Sequence, residues 1–287
     1  GAAAAGGEEP PAAPASLAFA PDGGSVAVCG AGGELAAYAV PEPGEDPGKD
    51  GGAELIASVL LGAAELESLG LSGRGAPTAH FAVSRSRAAG ERRLAATGLY
   101  ARWPGANRLL RVDYPAAPGA GASTAPARDL TLPYAVTASA VSASGSTVAV
   151  GMADGSVVLW GAALGVEGRS LPRLPSPPRS LAFVVEDGSL LYAASACGTL
   201  LLHELDVRQA SPTRGVDVAG LGVQAVHCPS DGAWGVVRLE GGRVLLADLG
   251  RNALVSDVLP SPKTELLPAG TLVDFRQSGY LLLGAAR

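Results

Sequence analysis

Short apolar runs alternate with glycine-containing turns along much of the chain. Four of these runs follow a turn glycine and lead, ten residues after it, to a second glycine. Runs of this length favour strands over helices, and glycine tolerates the positive φ of a tight hairpin. The pattern therefore predicts antiparallel strands joined by two-residue hairpins. The paired turn glycines are Gly23 and Gly33, Gly145 and Gly155, Gly188 and Gly198, and Gly232 and Gly242.

This strand-turn-strand unit recurs along the chain. Gly145, Gly188 and Gly232 are 43 and 44 residues apart. A period of this length is typical of β-propeller blades, each of which is a four-stranded antiparallel sheet. We therefore expect an all-β fold built of such sheets.

The better-preserved units resemble the WD40-repeat family. The resemblance rests on the pattern Leu-x-Phe-x-x-Asp-Gly followed by strand, turn and strand, at residues 17–23 and again, more loosely, at residues 181–188. It implies five blades and a partial sixth of a seven-bladed ring. The family's Gly-His pair is absent, and of its network of His, Asp, hydroxyl and Trp only Asp154 and Trp160 occupy corresponding places. We therefore expect a divergent propeller that depends on apolar packing.

The predicted domain organisation is a low-complexity segment at residues 1–15 and a propeller over residues 16–287. Blade two is the least regular, because residues 98–107 replace its tight turn with a longer hairpin loop. A short helix is expected at residues 63–69, in an insert. The blades are predicted at residues 16–61, 78–132, 134–172, 178–219 and 222–259, with a partial sixth at 271–287.

Composition agrees with a turn-rich globular chain. The sequence is 47% hydrophobic and contains 40 Gly and 22 Pro. It has no apolar stretch near the roughly 18 residues that span a bilayer, and residues 1–5 lack the basic start and apolar core of a secretory signal. We therefore expect a cytoplasmic protein without a membrane span.

The sequence offers little for catalysis, metal binding or cofactor binding. Its histidines are scattered over predicted strands, and its cysteines form no Cys-x-x-Cys pair. The glycines at residues 30–33 precede a strand, whereas a dinucleotide fingerprint needs a helix there. We expect no catalytic residue, no metal and no cofactor. The residues considered are His80, His203 and His227, and Cys29, Cys197 and Cys228.

One basic segment stands out in a chain of 21 basic and 27 acidic residues. From Arg74 to Arg111, eight arginines accompany a single acid, Glu91. The net charge of −6 argues against general nucleic-acid binding, but arginine beside aromatic residues is typical of protein contacts. The alternative is an irregular blade whose arginines pair with acids elsewhere. The candidate contact residues are Arg85, Arg87, Arg92, Arg93, Tyr100, Arg102 and Trp103.

The function expected from this reading is that of a non-catalytic scaffold subunit in a large assembly, with an acidic protein surface meeting the basic second blade. The Ala/Gly-rich inserts resemble those of proteins encoded in GC-rich genomes such as those of green algae, whose cilia contain many divergent WD-repeat subunits. We therefore expect an axonemal, central-pair or other cytoskeletal assembly. The alternative is a propeller enzyme or peptide reader that binds a ligand in a central funnel. The enzyme needs polar innermost strands, but residues 17–19, 181–183 and 225–227 are mostly apolar. The peptide reader needs an aromatic cage, for which four Phe, six Tyr and three Trp in the whole chain leave few residues.

Overall fold

The structure is a computed structural model, and it is all-β apart from one short helix among the residues that it describes. In several strands, including parts of β5 and β6 below, only the backbone is described. The described residues are 14–20, 25–39, 55–88, 91–114, 128–161, 168–184, 190–205, 212–217, 222–227, 234–240, 244–248, 253–257, 272–275 and 281–284.

The first eight strands form two four-stranded sheets, with the helix between them in the chain. In each sheet the strands lie side by side in chain order. The elements are β1 (Pro14–Phe19), β2 (Ser25–Gly30), β3 (Leu35–Ala39), β4 (Leu55–Leu61), α1 (Ala63–Ser68), β5 (Thr78–Ala88), β6 (Glu91–Arg102), β7 (Arg108–Asp113) and β8 (Arg128–Thr131).

Three more four-stranded sheets and one two-stranded sheet follow. Every pair of strands whose register is described is antiparallel, and such sheets are compatible with a β-propeller. The strands are β9 (Val136–Val141), β10 (Thr147–Met152), β11 (Val157–Gly161), β12 (Arg169–Ser170), β13 (Pro178–Phe183), β14 (Leu190–Ser195), β15 (Thr199–Glu204), β16 (Pro212–Asp217), β17 (Val223–His227), β18 (Trp234–Leu239), β19 (Val244–Asp248), β20 (Ala253–Asp257), β21 (Leu272–Phe275) and β22 (Leu281–Gly284).

The chain forms two compact units. The first contains Gly1–Phe81 and Ala96–Asp129, and the second contains Ala82–Ala95 and Leu130–Arg287. Each unit has its own buried apolar side chains. In the second unit the first strand of a sheet packs on the first strand of the next, β9 on β13 and β13 on β17.

The hairpin turns differ from the predicted two-residue loops. Met152 N–H donates to Ser156 O at 2.9 Å and Gly155 N–H donates to Met152 O at 2.9 Å, which leaves three residues in the loop. Such a loop needs a left-handed residue at its third position. Glycine takes that position in three hairpins, at Gly33, Gly155 and Gly198, with φ of 105°, 92° and 97°.

A different turn glycine lies between β9 and β10. Gly145 has φ of 68°, and its N–H donates to Ser142 O at 2.8 Å. The remaining predicted turn glycines, Gly23, Gly188, Gly232 and Gly242, lie outside the described residues.

The irregular hairpin predicted for the second sheet is shorter than expected. β6 continues to Arg102 and pairs with β7 from Gly98↔Asp113 to Arg102↔Leu109, so the prediction of a loop over residues 98–107 is wrong. The strand continues because Leu99, Tyr100 and Ala101 are all buried. Burial on both faces of a strand favours an apolar run without alternation.

Candidate functional site

Four of the predicted contact arginines lie at the end of β5 and the start of β6, which are neighbouring strands of the second sheet. The described pairing of β6 with β7 begins at Gly98, so the first half of β6 precedes that pairing. We call residues 84–88 of β5 and 91–95 of β6 the arginine ribbon. It carries four arginines and one acid, Glu91, for a net charge of +3. The arginines are Arg85 and Arg87 on β5, and Arg92 and Arg93 on β6.

The two aromatic residues of the predicted contact surface are buried in the first unit. Trp103 has 0% exposure and Tyr100 has 1%. The Trp103 indole N–H donates to Gly33 O at 3.3 Å, and both this ring and Leu66 lie against the α-carbon of Gly33. Trp103 therefore holds the β6–β7 hairpin against the β2–β3 hairpin, and neither ring is exposed to a partner.

Arg102, the remaining predicted contact residue, is half-buried at the end of β6. Burial lowers the pKa of its guanidinium below the ordinary value. Because Arg102 is half-buried, less of its guanidinium is exposed to a partner than in an arginine on the surface. The four ribbon arginines thus lie at a different place in the fold from the other three candidates, which are Tyr100, Arg102 and Trp103.

Two arginines of the basic segment are paired with acids. Arg111 Nε contacts Asp113 Oδ1 at 2.7 Å, and the guanidinium of Arg111 also lies 5.6 Å from the centre of the Tyr100 ring. Arg108 Nη2 contacts Asp129 Oδ2 at 2.8 Å. Both acids follow the segment from Arg74 to Arg111 in the chain, Asp113 two residues after it and Asp129 18 residues after it, so a count within that segment overstates its unpaired charge.

Arg108 also fixes the insert that carries α1. Its second terminal nitrogen donates to Leu69 O at the end of the helix, where carbonyls lack partners within the helix. Burial of Leu66 and Leu71 adds apolar contact at the same place. The basic segment therefore contributes to internal structure through Arg108 and Arg111.

Asp154, one of the two residues expected to occupy places in a WD40 network, has three contacts in and beside the β10–β11 hairpin. Its Oδ1 accepts from Ser156 Oγ at 2.5 Å and from Ser156 N–H at 3.1 Å. Its Oδ2 pairs with Arg173 Nη2 at 3.0 Å. Burial raises the pKa of Asp154, but the hydrogen bonds from Ser156 and the charge of Arg173 outweigh it, so the pKa is lowered.

Arg173 was not identifiable as the partner of Asp154 from the sequence. It lies 19 residues further along the chain, and its Nε donates to Asp154 O at 2.6 Å. Trp160, the other matching residue, is half-buried on β11. Arg173, which follows β10 and β11 in the chain, thus supplies the cation that pairs with Asp154 in the turn between them.

The histidines and cysteines differ in environment. His203 is buried, and neither ring nitrogen has a hydrogen-bond partner among the described residues. Burial lowers its pKa to about 4. His80 is half-buried on β5, whereas the side chain of His227 and the whole of Cys228 lie outside the described residues.

Cys197 is the thiol with the more reactive setting. It is exposed in the β14–β15 turn. Hydrogen bonds with Ser176, Ser195 and Thr199 lower its pKa to about 7. Burial instead raises the pKa of Cys29. Hydroxyl residues two positions to either side of Cys197 in the sequence were the available signal for this setting.

The apolar strands β1, β13 and β17 are not equally buried. Leu17 and Phe19 on β1 have 58% and 66% exposure. Leu181 on β13 and Val226 on β17 have 6% and 5%. The apolar side chains of β1 therefore form an exposed face.

No group of three or more potential metal ligands occurs among the described residues. In the same residues, no helix has the length and apolarity needed to cross a membrane.

Comparison with known proteins does not place the chain in a family. No protein-family model matches it, and no curated protein matches it at a significant level.

Proposed function

We propose that the chain is a non-catalytic WD-repeat scaffold whose arginine ribbon binds an acidic surface of a partner protein. In this proposal the small sheets are blades of a WD40-like ring, and the ring is a subunit of a large axonemal or other cytoskeletal assembly. The Ala/Gly-rich inserts support the choice of assembly. The observation that carries the proposal is the ribbon itself.

The ribbon suits such a contact because of its charge. Its net charge is +3 over ten strand residues, and arginine binds carboxylates through paired N–H donors. Arg108 and Arg111, which lie outside the ribbon, have acidic partners of their own in Asp129 and Asp113. A charged surface also speeds encounter with a partner of opposite sign.

The proposal is tested by recovering the tagged protein and its partners from its native cells at physiological salt. Arg92→Glu/Arg93→Glu reverses two ribbon charges. Arg128→Glu/Arg179→Glu is the matched control, since both residues are exposed arginines outside the ribbon. We expect wild type and control to co-purify with stoichiometric partners, and the ribbon variant to lose at least one of them.

Equal recovery of every partner by the ribbon variant and the control would rule out the ribbon as the contact. A monomer with no partner in all three preparations would rule out the scaffold function.

A further inference from the structure

One face of the first sheet is apolar and open to solvent. Residues directly opposite each other in antiparallel strands lie on the same face, so the register of β1 with β2 and of β2 with β3 defines this face. Leu17 and Phe19 on it have 58% and 66% exposure. We call the surface the open face, and its residues, none of them charged, are Leu17, Phe19, Val26, Val28, Ala36 and Tyr38.

The opposite face of the same sheet is packed. Ala27, Cys29 and Leu35 lie on it with at most 1% exposure. Ser16 is on this side too, and its Oγ donates to Pro77 O at 3.3 Å. The first sheet thus buries one apolar face and exposes the other, and an exposed apolar patch of this kind marks an interaction site.

The strand that matches β1 in sequence has a cover on the corresponding face. Pro-x-Ser-Leu-Ala-Phe forms both β1 and β13, and each strand pairs with the next one with an irregularity between its Pro and its Ser. Leu181 of β13 has 6% exposure and lies in an apolar cluster with Ala138 and Ala140 of β9 and Ala149 of β10. At β13, therefore, the β9–β10 hairpin packs on the face that matches the open face.

That cover consists of small residues. The register pairs Ala138 with Gly151 and Ala140 with Ala149, so these four share the face of the hairpin that meets β13. A Cβ on Gly151 would overlap the ring of Pro178, so the backbone of β10 comes close to β13 at this point. The cover that suits this six-residue pattern is therefore a hairpin whose facing positions are Gly and Ala.

We propose that the open face binds a β-hairpin of a partner protein that presents Gly and Ala at its facing positions. Sheets that pack face to face interdigitate the side chains of their inner faces, and small residues leave room for Leu17 and Phe19. A second copy of the chain fits less well. Its β9–β10 hairpin is already covered by β13, and two open faces would set Leu and Phe against Leu and Phe.

This contact goes beyond the proposed function, which uses the arginine ribbon alone. The open face belongs to the first compact unit and the ribbon to the second. The two contacts also differ in chemistry, since one is apolar and the other is basic. Each can therefore be removed without the other.

The test is site-specific photocross-linking of the full, tagged chain in its native cells. Phe19→p-benzoylphenylalanine places the reactive group on the open face, and Tyr134→p-benzoylphenylalanine places it on an exposed aromatic residue of the second unit. Cross-linked peptides are sequenced by mass spectrometry.

Two further substitutions are each combined with the first probe. Leu17→Glu places a charge on the open face, and Ser72→Glu is the matched control, because it adds the same charge at an exposed residue of the same unit. Thermal unfolding confirms that each variant is folded.

We expect position 19 to cross-link to strands of another protein in which Gly or Ala occupies alternate positions, and position 134 not to reach those strands. Leu17→Glu should lower the yield about tenfold or more, because it puts a charge into an apolar contact. Ser72→Glu should leave the yield unchanged.

The inference would be overturned by the absence of a cross-link at position 19, or by a yield that Leu17→Glu does not change. A cross-linked peptide without the Gly/Ala pattern would overturn it too, as would a cross-link to this chain itself, within one molecule or between two copies. In each case a loss of partners by Arg92→Glu/Arg93→Glu would leave the proposed function standing, since the ribbon makes that contact.

Discussion

At the scale of single residues, two cysteine thiols have pKa values that their surroundings shift in opposite directions. Cys29 and Cys197 are both free thiols, but the first is buried and the second is exposed in a turn. Desolvation favours the neutral thiol, and hydrogen bonds from hydroxyls favour the thiolate. Their reactivities should therefore differ.

Alkylation by iodoacetamide should modify Cys197 well before Cys29. The pKa of Cys197 is lowered to about 7, so its rate should rise with pH and level off with a midpoint near that value. The rates come from peptide mapping by mass spectrometry at a series of pH values. Ser176→Ala removes the strongest of the hydroxyl contributions and should move the midpoint upward. A midpoint near 9, which is the ordinary pKa of a cysteine thiol, would contradict the hydrogen bonds described for this turn.

Stability should fall as the pH is lowered from about 6.5 to about 4, in part because of His203. Its folded pKa of about 4 lies below the ordinary value of 6.5, so between these values the unfolded chain binds a proton that the folded chain does not. The stability that depends on a neutral His203 is fully present above pH 6.5 and is lost as the pH falls toward 4. The slope of unfolding free energy against pH should reach up to about 1.4 kcal/mol per pH unit from this residue.

Urea unfolding of wild type and His203→Leu at several pH values measures this slope. Subtracting the slope of the variant from that of wild type removes the effect of the other titrating groups. Parallel curves for the two proteins over this pH range would mean that His203 is not desolvated in solution.

At the scale of elements, turn chemistry decides where strands end. Gly155 has φ of 92°, and a Cβ there would come within 2.5 Å of Leu174 O. Gly155→Val should therefore cost about 2 kcal/mol or more in unfolding free energy, since positive φ alone costs roughly 1–2 kcal/mol in a residue with a Cβ. The matched control is Gly161→Val on β11, where no heavy atom lies within 4 Å of the added Cβ.

Urea denaturation of the two glycine variants compares them directly. Equal stabilities would show that the hairpin of β10 and β11 has a different register from the one described.

The strands and their glycine turns were predictable because they depend on local sequence. The helix at Ala63–Ser68 and the left-handed glycines follow from short-range patterns of this kind. Burial of Trp103 was not predictable, because its partner Gly33 lies 70 residues away. The same holds for the pairing of Asp154 with Arg173. Charge counts along the sequence miss such pairs, since the packing of strands decides which acid meets which base.

At the scale of the whole molecule, one six-residue pattern occurs in two different surroundings. Pro-x-Ser-Leu-Ala-Phe forms both β1 and β13, and each strand has an irregularity between its Pro and its Ser. The serine of each strand forms a hydrogen bond with backbone further along the chain: Ser16 Oγ donates to Pro77 O at 3.3 Å, and Ser180 Oγ accepts from Val226 N–H at 3.0 Å. The leucines differ, because Leu181 lies in an apolar cluster with β9 and β10 and Leu17 is exposed.

This matched pair makes the burial of each leucine measurable. Leu181→Ala should cost about 2–5 kcal/mol, as for a large side chain removed from a packed core. Leu17→Ala should change stability by no more than about 0.5 kcal/mol, as at an exposed site. Both changes in unfolding free energy are measured by urea unfolding of the 287-residue chain. A large cost at Leu17 would mean that the apolar face of β1 is covered in solution. Since the two strands share their sequence and their irregularity, such a result could not be attributed to the strand itself and would point to a second surface packed against it.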